Sequence, residues 1–333
     1  MSDLLLERPV RLQVDLLPPP GAPGEGRGAS WLRQPGAGAA TAALEGAGLF
    51  FVTLAHPRGD LLGDAAALAR GLTARGVRVS LVLEDPGLIP PLGPQPPFGE
   101  ILLDVTGDDR EERVAAFAGN LPPAGPGRPR GGLLLRPGRG MGRALGSLAR
   151  LALDHGLTLL ELPPLPLVYH GREAARSLVP LPEDYQAARV ALAAAGPWRD
   201  PRLEARIHDI LLSALLREIR GGAAGAPHRF TGCQAAGALG HVRADGLVFP
   251  CAMLPVALGR VEELADPDFW RRPATANLRR ELSLPPPACH VCRAWEACHG
   301  GCPGAREALT GRCWGEDPLC LPFRDLAAEK ARP

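Results

Sequence analysis

The sequence predicts an α/β chain: a parallel sheet or open barrel over the first two thirds, then a small, turn-rich lobe rich in cysteine. Three observations predict it. Short apolar runs bounded by Gly or Pro alternate with helical patterns over the first 170 residues. Past a Gly-Ala-rich stretch, GGAAGAP (221–227), the chain becomes turn-rich. All eight cysteines lie at or beyond position 233.

Six runs read as strands: PVRLQVDLL (9–17), GLFFVTLA (48–55), VRVSLVLE (77–84), GEILLDVT (99–106), GLLLRP (132–137) and LTLLELPPL (157–165). Their nearly continuous hydrophobicity is that of parallel strands buried on both faces. Three segments between them have helical period: 60–76, 108–121 and 142–156. Two of these end in Gly at a C′ position, Gly76 and Gly156, where a left-handed residue closes a helix. Strands joined by such helices imply right-handed crossovers. Residues 201–220 predict a further helix, with Leu203, Ile207, Ile210, Leu211, Ala214, Leu215 and Ile219 on one face, Asp200 as cap and Pro201 in the first turn. After it only short strand candidates such as HVRADGLVFP (241–250) occur, and the boundary falls near 222, giving units 1–222 and 223–333. The stretches 18–30, 86–99 and 121–132, dense in Gly and Pro, read as loops.

The 333 residues suffice for one large or two modest domains. A net charge of +1 supplies no global field for nucleic acid or an anionic membrane. No apolar run is long enough to span a bilayer, and the start MSDLLLERPVRLQVDLL lacks the marks of a signal peptide. The expectation is a cytoplasmic protein, in which clustered cysteines bind metal more often than they form disulfides.

Cys233, Cys251, Cys289, Cys292, Cys298, Cys302, Cys313 and Cys320 are the cysteines. Structural zinc would want two separable four-ligand sets, commonly with paired C-x2-C knuckles, and only Cys289/Cys292 forms such a pair. Iron–sulfur cubanes present four irons to four thiolates, and the run C-x2-C-x5-C-x3-C with distant single cysteines suits that geometry better.

Cys233, twelve residues, Gly246-x4-Cys251, then Cys289-x2-Cys292-x5-Cys298-x3-Cys302 and finally Cys320 resembles the seven-cysteine SPASM domain, a C-terminal extension of many radical S-adenosylmethionine (SAM) enzymes that modify peptides. The hairpin sequence before Cys251, the connector ALGRVEELADPDFWR (257–271) and the turn CHGGCPG (298–304) fit the resemblance, which covers about residues 228–323. It implies two auxiliary [4Fe–4S] clusters, one on Cys233, Cys251 and Cys302, the other on Cys289, Cys292, Cys298 and Cys320. The first set lacks the further cysteine that family members often supply just upstream; its fourth position is open, or falls to His228 or Cys313. His228 reads more plainly as a loop residue and Cys313 as a spare thiol. Arg293, Arg306 and Arg312 lie among the ligands, either as counter-charges to the clusters or as ordinary solvated arginines.

A radical SAM enzyme also needs a CxxxCxxC loop after its first strand. The corresponding loop, LLPPPGAPGEGRGASW (16–31), has no cysteine. The family's Gly-Gly-Glu-Pro turn after the second strand resembles Leu54-Ala55-His56-Pro57 here, without its glutamate. The resemblance therefore implies a degenerate radical-SAM-like partial (β/α)6 barrel followed by a SPASM lobe. It implies an iron–sulfur protein for which S-adenosylmethionine is not expected as cofactor. Its role would be that of a pseudoenzyme partner presenting substrate or relaying electrons in peptide or natural-product maturation. The alternative is an enzyme binding substrate at an open iron of the first cluster. Implied partners are an active radical SAM enzyme, a precursor peptide, and an electron donor such as ferredoxin or flavodoxin; nucleic acid and membrane are not.

In the first unit, His56 and Asp60, and Tyr169 and His170, follow strand ends where parallel barrels place ligands, though surface loop polars are the plainer reading. GRGMGR (138–143) has the glycines of a phosphate loop without its Lys-Ser/Thr.

Overall fold

The computed structural model describes residues 9–19, 22, 30–89, 92, 96–106, 110–123, 125–194, 196–219, 233–292, 298 and 300–320. The predicted boundary near 222, His228, Arg293 and most of the loop 18–30 lie outside the described residues.

All six predicted strands form: β1 (Arg11–Asp15), β2 (Phe51–Ala55), β3 (Arg78–Leu83), β4 (Glu100–Asp104), β5 (Arg130–Leu134) and β6 (Leu159–Leu162). Each pairs in parallel with the next. The predicted helices appear as α2 (Leu62–Ala74), α3 (Arg110–Asn120) and α4 (Met141–Asp154). Gly76 (φ 80°) and Gly156 (φ 71°) take the left-handed conformation that their C′ positions require. Three helices were not foreseen: α1 (Ala37–Gly46), α5 (Arg172–Leu178) and α6 (Pro182–Ala194). α1 is nearly all Ala and Gly, with too little apolar contrast to show a stripe.

Residues 201–220 depart from the predicted single helix. Glu204–Ile207 form a seventh parallel strand, β7, beside β6, and the helix α7 begins only at Ile210 and runs to Ile219. The cause is an alternation hidden by the stronger helical pattern that follows. Leu203 and Ala205 are buried in the main core, whereas Glu204 and Arg206 face the other way into ion pairs. The cap is Asp209, whose Oδ1 accepts from Leu211 N and Leu212 N at 2.9 Å each. Asp200 instead pairs with Arg202 at 2.7 Å.

The second unit is threaded onto the same sheet. β8 (Leu239–Val242) pairs in parallel with β1, then β9 (Leu247–Phe249) and β10 (Gly259–Arg260) add antiparallel strands. The strand order is β10-β9-β8-β1-β2-β3-β4-β5-β6-β7. The lobe adds α8 (Pro273–Ser283) and α9 (Pro303–Thr310).

One face of the sheet packs against the helices. Leu12, Val14, Leu54, Leu81, Ile101, Leu103, Leu133 and Leu160 all belong to that core. The opposite face is a hollow with a small apolar layer of Ala55, Val82, Leu102, Leu134 and Leu159. Below that layer, Arg206 binds Glu100 through two 2.6 Å hydrogen bonds, and Arg11 of β1 reaches His208 at 3.0 Å. Those contacts between distant strands curl the sheet into a partial barrel.

Candidate metal centre

The cysteine lobe is built from three turns that bring sulfurs inward. Cys233 precedes the bend that enters β8, Cys251 follows β9, and Cys302 caps α9. Each sulfur meets backbone N–H groups of its own turn: Ala235 on Cys233, Met253 and Leu254 on Cys251, and Ala305 on Cys302 at 3.5 Å. Gly300 (φ 83°) and Gly301 (φ 82°) do the same for Cys298, since their left-handed backbone turns two successive N–H groups toward one sulfur. N–H donors of this kind stabilise thiolate over thiol.

The thiols fall into groups. Burial, with Cys251 adding to it, pushes Cys233 up to about 12. Burial drives Cys302 well up, with Cys251 and Cys233 both adding to it. Separately, burial pushes Cys298 up to about 12, with Cys320 the next largest cause. Sulfurs held this close in a low-dielectric site cannot all ionise unless a cation joins them. Cys289 and Cys292 lie partly buried in the turn at Pro287–Cys292. Cys313 packs on the same small core of Ala236, Leu254 and Leu278 as Cys251, yet it is not among the groups acting most strongly on Cys233, Cys251 or Cys302.

Among the described residues no three Cys, His, Asp or Glu side chains converge on one ion position. A tetrahedral zinc site, with Zn–S near 2.3 Å, needs its sulfurs about 4 Å apart. A cubane spreads its four irons over separate corners, and so fits thiolates that sense one another at longer range. The donor chemistry and the N–H cradles fit a sulfur cluster.

The charge of Asp317 bears on members of both groups, Cys298 and Cys302. Its carboxylate accepts from Cys302 N at 3.1 Å and Leu319 N at 2.9 Å. Burial lifts its carboxyl to about 6. Met253 Sδ lies 3.5 Å from Cys302 Sγ and borders a cavity of about 250 Å³ with His170, Arg172 and Glu307 at its rim. Of the arginines, Arg306 is buried and Arg312 exposed.

The mouth of the barrel is polar and largely self-paired. His56 is buried, not a surface polar, and holds a left-handed backbone (φ 60°) uncommon outside glycine. Its Nδ1 lies 2.6 Å from Glu84 Oε1 and its Nε2 2.8 Å from Arg136 Nη2. Because the guanidinium is a donor only, Nε2 accepts and Nδ1–H donates to Glu84. Arg136 also binds Asp104; burial raises that carboxyl, but the Arg136 charge and hydrogen bonds from Thr106 act against it and the net direction is down. Asp15 lies 3.3 Å from His241 Nε2, both buried. Asp60, by contrast, is exposed and pairs with Arg33 at 2.8 Å. The Tyr169 hydroxyl accepts from Ala244 N at 2.9 Å. Residues 138–143 are no phosphate cradle: Gly140 N already donates to Asp184 Oδ1 at 2.8 Å. Arg136, Asp104, Asp15 and His241 were missed in the sequence, where only their alternation with the apolar strand residues marks them.

No protein-family model and no curated protein matches this chain. Solved structures do. Native anSMEcpe with bound AdoMet matches with a TM-score of 0.62 and 13% identity over 96% of both chains. SuiB of Streptococcus suis bound to the precursor peptide SuiA matches with a TM-score of 0.64 and 14% identity, over 95% of this chain and 76% of that one. SuiB bound to S-adenosylmethionine gives 0.64 at 12% identity. At this identity the likeness speaks for the fold, a radical SAM/SPASM-like one, as the sequence resemblance implied.

Proposed function

We propose that this chain is an iron–sulfur protein of peptide maturation that does not itself cleave S-adenosylmethionine. Its units are a barrel, residues 1–222, and a SPASM-type lobe, residues 223–333. One observation carries the reading. Cys251 raises the Cys233 thiol, Cys251 and Cys233 both raise that of Cys302, and Cys320 raises that of Cys298, a grouping that two interlaced ligand sets would produce. Cys289 and Cys292 complete the second set. Each [4Fe–4S] cluster, when bound, supplies a one-electron couple. The chain would hold the thiolates and supply N–H donors to the sulfurs.

The role in peptide maturation draws on SuiB bound to the precursor peptide SuiA and on anSMEcpe bound to AdoMet and the Kp18Cys peptide. Those neighbours also carry S-adenosylmethionine, so nothing in the fold forbids that molecule. The proposal against cleavage rests on residues 1–232, which contain no cysteine and so offer no thiolate for a cluster at the barrel mouth. The chain would act with an active radical SAM enzyme, presenting the peptide or passing electrons from a ferredoxin- or flavodoxin-type donor. Anaerobic reconstitution followed by iron and acid-labile sulfide analysis tests the cluster reading. About eight of each per chain are expected; stoichiometric zinc without sulfide would refute it.

A further inference from the structure

Arg306 sits in the first turns of α9 at only 4% exposure. Two of its nitrogens are accounted for: Nη1 donates to Cys313 O at 2.8 Å and Nη2 to Gly300 O. Its Nε–H finds no acceptor among the described residues. The side chain lines a cavity shared with Cys233, Leu282, Leu284, Pro303 and Trp314. A guanidinium stays charged when buried, and a buried cation is costly unless anions and acceptors surround it.

Among the described residues Arg306 forms no ion pair within 4 Å. Its charge reaches the buried Asp317 carboxylate, which accepts from Cys302 N and Leu319 N, and the Arg306 Nε–H is left without an acceptor. Cys233 lines the same cavity as Arg306, which makes the sulfur group the candidate acceptor for the open Nε–H. A cubane held by thiolates is a net anion in that position. Arg312, six residues on, is exposed and has no such relation.

We propose that Arg306 is a buried counter-charge of the cluster held by Cys233, Cys251 and Cys302, with its free Nε–H available to that cluster's sulfurs, and that it raises this cluster's reduction potential. The inference rests on the cluster reading above. A fixed positive charge favours the reduced, more negative cluster, and hydrogen bonds to sulfur act in the same direction.

The test is a mediated redox titration of the reconstituted full chain, followed by EPR, on wild type, Arg306→Gln, Arg306→Lys and Arg312→Gln. Arg306→Gln should lower the reduced-to-oxidised ratio of one cluster about tenfold at fixed solution potential, equivalent to about 59 mV for one electron. The other cluster should stay in place, Arg306→Lys should recover most of the shift, and Arg312→Gln should move neither. Two results overturn the proposal: an unmoved potential in Arg306→Gln, or equal loss of iron from the Gln and Lys variants. The second would show that the two carbonyl bonds alone matter. Iron-free wild type would instead overturn the cluster reading itself.

Discussion

Arg11 and His208 meet across the hollow of the sheet, Nη1 to Nε2 at 3.0 Å, although β1 and β7 stand six places apart in the strand order. Glu161 of β6 joins them, 3.4 Å from His208 and 3.8 Å from Arg11. Burial raises the Glu161 carboxyl, but the His208 hydrogen bond and the charges of Arg11 and Arg206 outweigh it and hold it down to about 2.

This makes Glu161 a source of acid-sensitive stability. With a folded value of about 2 against an ordinary 4.5, its contribution is complete above pH 4.5 and is lost as pH falls toward 2. The linkage amounts to about 3 kcal/mol as an order of magnitude. Glu161→Gln should therefore be less stable than wild type at pH 7, with the gap narrowing steadily below pH 4.5. Urea unfolding at a series of pH values measures it; a gap independent of pH would contradict the assignment.

At the barrel mouth, Arg136 and Asp104 are both buried and paired. Arg136→Leu strands a buried carboxylate and should cost about 3–5 kcal/mol. Adding Asp104→Leu should recover most of that loss, because desolvation of both charges is then relieved together. Chemical denaturation of the single and double variants decides it. A double variant no better than the single would show that the pair does not stand alone, His56 being the next partner at 2.8 Å from Arg136.

The two proposed ligand sets predict separable losses. Cys302→Ala should remove about half the iron and leave the second cluster's EPR signal in place, and Cys298→Ala should do the reverse. Cys313→Ala should leave iron content nearly unchanged, since the matched spacing uses the other seven cysteines. Loss of about four irons in Cys313→Ala would make Cys313 the fourth ligand of the first cluster.

Reconstituted protein given strong reductant and S-adenosylmethionine should yield no 5′-deoxyadenosine above a no-protein control. Turnover comparable to that of an intact radical SAM enzyme would end the reading as a non-cleaving partner.

Much of this architecture was legible because buried parallel strands announce themselves. Runs such as LQVDLL and EILLDV need apolar residues on both faces, and all six predicted strands formed. β7 was obscured because its alternation, Leu203-Glu204-Ala205-Arg206, lasts only four residues before an amphipathic helix begins. The polar interior was harder to foresee. Asp15, Asp104, Arg136 and Glu161 are scattered through the sequence, and only the pairing of neighbouring strands brings the partners within each pair together. His56 was singled out for its place after β2, but its burial depends on Arg136, eighty residues away. The cysteines and their proposed grouping came from spacing and resemblance, whereas the N–H donors at Gly300, Gly301 and the cap at Cys302 depend on turns that spacing does not show.

The pairing of β8 with β1 has a consequence for anyone dissecting the chain. Val14 lies opposite Val242, and Arg11 opposite Leu239, along a full ladder of parallel hydrogen bonds. A fragment ending before residue 233 would bare that whole side of β1, an apolar strand in the middle of the sheet converted into a raw margin. Unpaired margins of this kind recruit other chains, so the isolated barrel should self-associate when expressed alone. The cysteine lobe then serves the barrel as its selvage, the woven border that keeps the fabric from fraying.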